Sequence, residues 1–399
     1  MSNAAGEWRE GWRVVAGAAL ALGTALPIWN YVSSLFVVHL TGEFGWTRGQ
    51  LASATAAAFI GSLAGPFVGK LADNLGVRPV LGFGLVGYAG MFVALALQPG
   101  TLLAYTVIIM LHTMIGVACG GAIFSRAVAS WFDRSRGFAL GLTMTGVPLS
   151  AALVAPAVQG MIDGYGWRSG YLLLAALALC VGLPLVLALV RERPRPTIDA
   201  PQEGAEWAQI VRSGGFWLLA LSLLPVNAAG TGIMSAMAPM LTDQGISAGL
   251  AATMVSTFAV AVIVARLAAG WSIDRFPPHI VAAVVTGIPA LGCALLFFAD
   301  GSPLRATLAL LLIGVQQGAE IDLVGYLLAR LFGMRNFASA YGVCVAFLGL
   351  SGAAGVAWFG RSFDASGSYA SVIALAVPAY LLGAGLLFAL GRRVAHQAE

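Results

Sequence analysis

Twelve stretches of this chain are long and apolar enough to cross a membrane, and that decides most of what it can fold into. A bilayer's hydrocarbon core takes about 20 consecutive apolar residues in helical form. Such runs fall near 13–39, 50–69, 79–97, 101–124, 138–162 and 169–190, then near 216–241, 248–272, 279–299, 304–328, 338–360 and 369–390. They are continuous, without the in–out alternation of a membrane barrel, so the reading is an all-α membrane protein. Charge agrees: 10% of the residues are Asp, Glu, Lys or Arg, against about 25% in an average soluble domain.

The gaps between runs carry the orientation. With the N-terminus inside, Lys70, Arg78, Arg134, Arg136, Arg191, Arg193, Arg212, Arg275 and Arg330 all fall on the cytoplasmic side, whereas the other side holds only Arg48, Arg168, Arg305 and Arg361. That is the positive-inside bias, and it puts both termini in the cytoplasm. The net charge of +4 follows from the topology and implies no nucleic-acid partner. Cys119, Cys180, Cys293 and Cys344 sit inside apolar runs with no metal-type spacing and read as buried free thiols. No cofactor or metal is expected.

One long polar stretch, "RERPRPTIDAPQEGAEWAQIVRSGG" (191–215), separates six runs from six. Rich in proline and mixed charge, it reads as a cytoplasmic linker between an N-terminal half, 1–190, and a C-terminal half, 216–399. The halves repeat. Leu40-Thr41 recurs as Leu241-Thr242 and the pair Gly69/Asp73 as Gly270/Asp274, each 201 residues on, while Phe132 recurs as Phe332 after 200. Two parallel six-helix repeats with a midplane site between them are the signature of one large transporter architecture.

The segment "GKLADNLGVRPV" (69–80) resembles the loop motif of the major facilitator superfamily, with Gly69, Asp73, Gly76 and Arg78 in register. The resemblance implies that these residues, with Arg134, latch the cytoplasmic side closed, and that Gly270, Asp274 and Arg275 do so in the second half. Physically, Asp73 ends a helix where basic groups or another helix N-terminus can meet it, and Gly69 and Gly76 allow close packing and a tight turn. The glycine pairs Gly116/Gly120 and Gly137/Gly141 read as packing seams without a chemical role.

Four further segments resemble the monocarboxylate transporter group and the related oxalate–formate exchangers: "EGWRVVAG", "WFDRSRGFALGLTMTGVP", "VARLAAG" and "GMRNFASAYG". There are departures. Asn30 stands where animal members of the group have a helix 1 lysine, and Val262 stands where they have an aspartate one turn before the helix 8 arginine. Helix 11 lacks the lysine of the oxalate exchangers; Lys70 is the only lysine in the chain. The roles of those partners therefore do not transfer.

Charges that break the repeat point to chemistry, because a scaffold element should occur in both halves. Arg266 corresponds to Gly65, Glu320 to Gly120 and Asp322 to Ala122. An intramembrane arginine or carboxylate costs about 2.5–3.5 kcal/mol on insertion scales, so it faces a partner, a wet cavity or the interface. Arg266 lies about 9 Å from the middle of its helix toward the cytoplasm. It either snorkels to the headgroups or pairs with a substrate carboxylate or with Glu320, for which a planar guanidinium is suited.

Glu320 and Asp322 project about 200° apart on one helix, so only one can face the cavity; Glu320, near Gln316 and Gln317, is the favoured one. A proton would move on or off such a carboxylate as an anion claims the arginine. His112, Asn30, Tyr31, Asn227 and Gln316 are further mid-membrane polar groups, each a candidate substrate ligand or an interhelical hydrogen bond.

The expectation is a secondary active carrier importing a small organic anion, a monocarboxylate, together with protons. It would work as a monomer in a bacterial inner membrane. The alternative is a proton-coupled exporter of amphipathic drugs or metabolites, whose helix 5 glycine run is represented here only by Gly146-Val147-Pro148. No nucleophile–base pair or phosphate-cradling loop suggests an enzyme.

Overall fold

The computed structural model describes residues 4–132, 135–193, 204–273, 275–333 and 336–396, and not the side chains of Asp73, Arg136, Asp322 and a few others. Internal contacts divide the chain into two compact units, Met1–Thr197 with Ala248–Ser256, and Ile198–Ser247 with Thr257–Glu399. Among the described residues eleven helices are long and apolar enough to cross a membrane; the pair Gly6–Leu22 and Leu26–Phe44, bent by 44°, makes a twelfth if it is one span. The protein is an all-α, multi-pass membrane protein. Its apolar side chains point outward as well as inward: Phe83, Leu103, Leu153 and Leu291 are each at least 67% exposed, as side chains facing lipid must be.

The first unit opens with α1 (Ala4–Leu22), α2 (Leu26–Val32) and α3 (Val37–Phe44), joined through a 3-10 turn at Ser33–Phe36. The bend between α1 and α2 precedes Pro27, which has no N–H to continue the ladder. Next come α4 (Arg48–Ala57), α5 (Gly65–Leu75), α6 (Val77–Ala96), α7 (Leu102–Gly116), α8 (Gly121–Ala129) and α9 (Arg136–Tyr165). The last span is α10 (Trp167–Leu177) and α11 (Leu183–Leu189), joined through one π-helical turn.

In the second unit a short helix, α12 (Trp207–Arg212), leads into six long ones. These are α13 (Gly214–Asp243), α14 (Ala248–Ile273, whose residues up to Ser256 group with the first unit), α15 (Pro278–Phe297), α16 (Pro303–Phe332), α17 (Phe337–Ser366) and α18 (Ala370–His396).

The repeat is visible in contacts. In the first unit a Cβ on Gly23 would collide with Ser150, and in the second Ser351 donates its hydroxyl to the carbonyl of Leu224. These are equivalent positions, 201 residues apart. Each fixes the first helix of its half against the fifth.

The segment after α11 is tied down by side chains far away in sequence. Glu192 Oε1 pairs with Arg126 Nε at 2.7 Å, and its Oε2 accepts the Val77 N–H at 3.0 Å, capping the start of α6. Arg191 O accepts the Trp131 indole N–H at 2.7 Å, and Arg193 pairs with Glu10 at 3.2 Å. The second unit is tied similarly: Ala205 N–H donates to Phe332 O at 2.8 Å and Asn336 Nδ2 to Ala205 O at 2.9 Å. In each unit one of these bonds lands at the equivalent position, on Trp131 beside Phe132 and on Phe332.

Glu192→Gln keeps a neutral acceptor for Val77 but loses the ion pair. The side chains of Arg126 and Glu192 are 38% and 27% exposed. With that solvent screening the expected loss is about 0.5–1 kcal/mol, read as a small drop in thermal unfolding midpoint in detergent. Glu192→Ala, which also removes the cap, is expected to lose about twice as much.

Candidate functional site

Arg266 stands inside α14 and is partly buried. Its position is set by the seam between α14 and α16, where Gly314 and Gly318, one turn apart, let two backbones touch. A Cβ on Gly314 would lie 2.9 Å from the Ala261 Cβ and 3.1 Å from the Phe258 carbonyl oxygen; one on Gly318 would collide with the Val262 carbonyl and lie 3.1 Å from the Ala265 Cβ. Side chains on α16 would hold the helices apart. Because they are not apart, Arg266 Nε reaches across and donates to Gly318 O at 3.0 Å. The residue in the place of the missing aspartate, Val262, is 2% exposed and is the backbone on which Gly318 rests.

Gly318 fixes which way the carboxylates face. It looks at α14, so Glu320, about 200° around, looks away from it. Glu320 is 8% exposed and lines a cavity bounded by Ser222 and Val226 of α13, Thr286 of α15, Leu323 and Leu327 of α16, and Leu387 of α18. No ion pair joins Arg266 to Glu320 among the described residues. The pairing considered for these two residues is not what the structure holds, because α16 itself stands between them. Asp322 follows Gly318 by four residues in α16; its side chain lies outside what is described.

The neutral candidates separate. Asn227 of α13 donates through Nδ2 to Leu348 O of α17 at 2.6 Å and accepts the Thr231 hydroxyl at 3.3 Å, an interhelical tie. Gln316 is 2% exposed and shares the face of Glu320. His112 is buried among aromatic rings, with centroids 4.5 Å from Tyr88, 4.8 Å from Phe92 and 5.3 Å from Trp29; neither ring nitrogen has a hydrogen-bond partner among the described residues. Asn30 is exposed on α2, and Tyr31 beside it is partly buried.

The loop-motif residues divide as well. Gly76 has φ 82°, a conformation that favours glycine, and ends α5 one residue before α6 begins. At Gly69 and Gly270 no close packing is seen among the described residues: a Cβ on either would meet no described atom within 4 Å, and the same holds for Gly137 and Gly141. Gly116 is a true seam, under Leu26 and Tyr88. Arg78 is exposed, and Arg275 stacks on the Trp271 ring at 4.0 Å. Arg134, Asp274 and the side chain of Asp73 lie outside the described residues.

The signature "EGW" acquires a physical content: Glu10 pairs with Arg193, and Gly11 lies directly under the Phe132 ring. Sequence reading missed Glu192, a charge in a charged linker, whose partners are 66 and 115 residues distant. It also missed Tyr380, one ring in an apolar run.

Two units of long apolar helices, with Arg266 and Glu320 inside apolar helices of the second, are what a membrane transporter requires. The family model of the Major Facilitator Superfamily matches residues 17–356. The chain belongs to that superfamily, and it is a transporter of small organic solutes, not an enzyme.

It is 28% identical to monocarboxylate transporter 13 of Rattus norvegicus, over 96% of this chain and 89% of the relative. To monocarboxylate transporter 11 of Homo sapiens it is likewise 28% identical, over 97% and 84%. Among solved structures, a bacterial homologue of the human lysosomal transporter Spinster, inward-facing and unoccupied, superposes with a TM-score of 0.74 at 17% identity, covering 97% of this chain and 98% of that one. A D-xylose–proton symporter gives 0.71 at 15% identity, covering 96% of each. At such identities the structures speak for the fold alone. These comparisons do not favour the exporter alternative.

Proposed function

We propose that the protein carries a small monocarboxylate across the membrane by alternating access, in symport with protons, with Arg266 as the residue that receives the carboxylate. The observation that carries this reading is a guanidinium held inside a membrane helix by a backbone carbonyl, at a position where the other half of the repeat has glycine. A guanidinium presents paired N–H groups that match a carboxylate's two oxygens, and fixing it on Gly318 O lowers the ordering cost of binding. Similarity to relatives named as monocarboxylate transporters supports the substrate class.

In this reading Asn30, Tyr31, His112 and Gln316 contribute polarity around the path, Asn227 ties α13 to α17, and Glu320 or Asp322 carries the proton. Gly69, Asp73, Gly76, Arg78 and Arg134, with Gly270, Asp274 and Arg275, form the latches. The linker and both termini face the cytoplasm, as the arginine bias supports, and the protein acts as a monomer in a bacterial inner membrane.

Purified protein in proteoliposomes is expected to accumulate labelled monocarboxylates when an inward proton gradient is imposed, and to stop when a protonophore collapses it. No uptake across carboxylates of graded length, hydroxylation and aromaticity would overturn the substrate class. Uptake indifferent to the protonophore would overturn the coupling.

A further inference from the structure

On the side of α16 turned away from Arg266, three buried polar atoms have no hydrogen-bond partner among the described residues: Glu320 Oε1, Gln316 Nε2 and the Tyr380 hydroxyl. Their residues are 8%, 2% and 0% exposed. They come together beside a bare stretch of α13. A Cβ on Gly230 would stand 3.2 Å from the Tyr380 hydroxyl, 3.3 Å from Gln316 Oε1 and 3.6 Å from Gln317 Oε1. Glu320 follows Gln316 by one turn on the same face and lies within electrostatic reach of the Tyr380 hydroxyl. The cavity next to it has Ser222, Thr286 and Glu320 as its polar lining; the rest is alanine, leucine and valine.

The described groups that face Glu320 offer no positive charge. From α18 comes Tyr380, with Cys293 of α15 beside it, and α15 also presents Thr286 and α13 Ser222. Cys344 of α17 belongs to the same apolar cluster as Leu323 and Leu327. Arg266 of α14 is on the other side of the helix. An ionised carboxylate here would be a charge among leucines, which is costly unless paired. A metal cation would ask for about six oxygen ligands, more than converge. A proton removes the charge, and one buried water, which typically makes about three hydrogen bonds to otherwise unpaired groups, matches the three orphaned atoms.

We infer that Glu320, Gln316 and Tyr380 form an enclosed proton-binding site inside the second half, set apart from the arginine by the width of α16. The proton enters from water on the side of higher proton activity, adds to the Glu320 carboxylate to give the neutral acid, and leaves from the same oxygen to the opposite side. Tyr380 and Gln316 are positioning residues that hold the acid and its water. Coupling then runs through α16 as a rigid element: protonation on one face biases the helix whose other face supplies the carbonyl that anchors Arg266. This inference rests on the proton-coupled reading above.

The test is infrared difference spectroscopy of the purified full-length protein between about pH 5 and 9, with no substrate present, alongside proteoliposome uptake. Wild type is expected to show a buried carboxylic-acid band that responds to pH and is lost in Glu320→Gln. In Tyr380→Phe, which keeps the ring and its packing, the band's midpoint and the pH profile of uptake are both expected to move, by about 0.5–1 pH unit. The ratio of gradient-driven to exchange flux is expected to fall at least about tenfold in Glu320→Gln, a factor equal to about 1.4 kcal/mol.

A band that survives Glu320→Gln, or a midpoint and profile unmoved in Tyr380→Phe, overturns the site. So does a band that disappears on adding sodium ions at fixed pH, which would make the ligand a metal cation. Should the band titrate as expected while wild-type uptake ignores the proton gradient, the site stands and the symport reading falls.

Discussion

Arg266→Gln is expected to lower monocarboxylate uptake by about 100-fold or more while leaving a folded, monodisperse protein. Truncating one partner of a buried charge pair costs about 2–5 kcal/mol, and about 2.7 kcal/mol already corresponds to 100-fold. Two terms of opposite sign act on stability. The variant loses the bond from Nε to Gly318 O, worth about 1.5–3 kcal/mol for a charged donor. It also removes an intramembrane cation whose own insertion cost is about 2.5–3.5 kcal/mol.

Arg266→Lys keeps the charge without the fork and is expected to lose about tenfold, since a point charge cannot replace bidentate recognition. Uptake and thermal unfolding measured on one preparation check both statements. If Arg266→Gln unfolds earlier but its residual folded fraction transports normally, the arginine is a tether between α14 and α16 and not the substrate's ligand.

The other large effect is expected from one methyl group. In Gly318→Ala the new Cβ falls on the Val262 carbonyl, with Ala265 close by. Those obstacles are backbone and a short side chain, and neither can rotate away. Either α16 retreats from α14 or the contact stays strained, for an expected loss of about 1–3 kcal/mol; Gly318→Leu is expected to yield no stable protein. Retreat also carries the Gly318 carbonyl away from Arg266, so uptake should fall in any fraction that folds.

Gly69→Ala and Gly270→Ala form the contrast. A Cβ at either meets nothing described, so the helix gains about 0.5–1 kcal/mol relative to glycine. Unfolding midpoints in detergent should therefore rise slightly for these two and fall for Gly318→Ala. If Gly69→Ala instead loses transport with its stability intact, that glycine serves a contact made in another state of the cycle.

Individual elements show why some features could be read from sequence and others not. The break before α2 was legible because Pro27 removes a hydrogen bond wherever it sits in a helix. The turn at Gly76 was legible because its backbone lies in a region few residues adopt. The packing of Gly69 was not, because a glycine looks the same in sequence whether a neighbour touches it or not. Asn227 could have bound substrate or tied two helices; the carbonyl of Leu348, 121 residues on, decides for the tie. Glu192 looked like linker charge, and only folding brings Arg126 and the start of α6 to it.

The sequence by itself determined the spans, the two-half repeat and the charges that break the repeat. A membrane interior offers no water to backbone groups, so each crossing must satisfy its own hydrogen bonds within one continuous apolar helix, and such helices are written locally. The facing of Glu320 was decided only by tertiary structure. Helical geometry sets it about 200° from Gly318, but which of the two meets α14 depends on where glycine lets two backbones touch. That contact puts the arginine on one side of α16 and the carboxylate on the other.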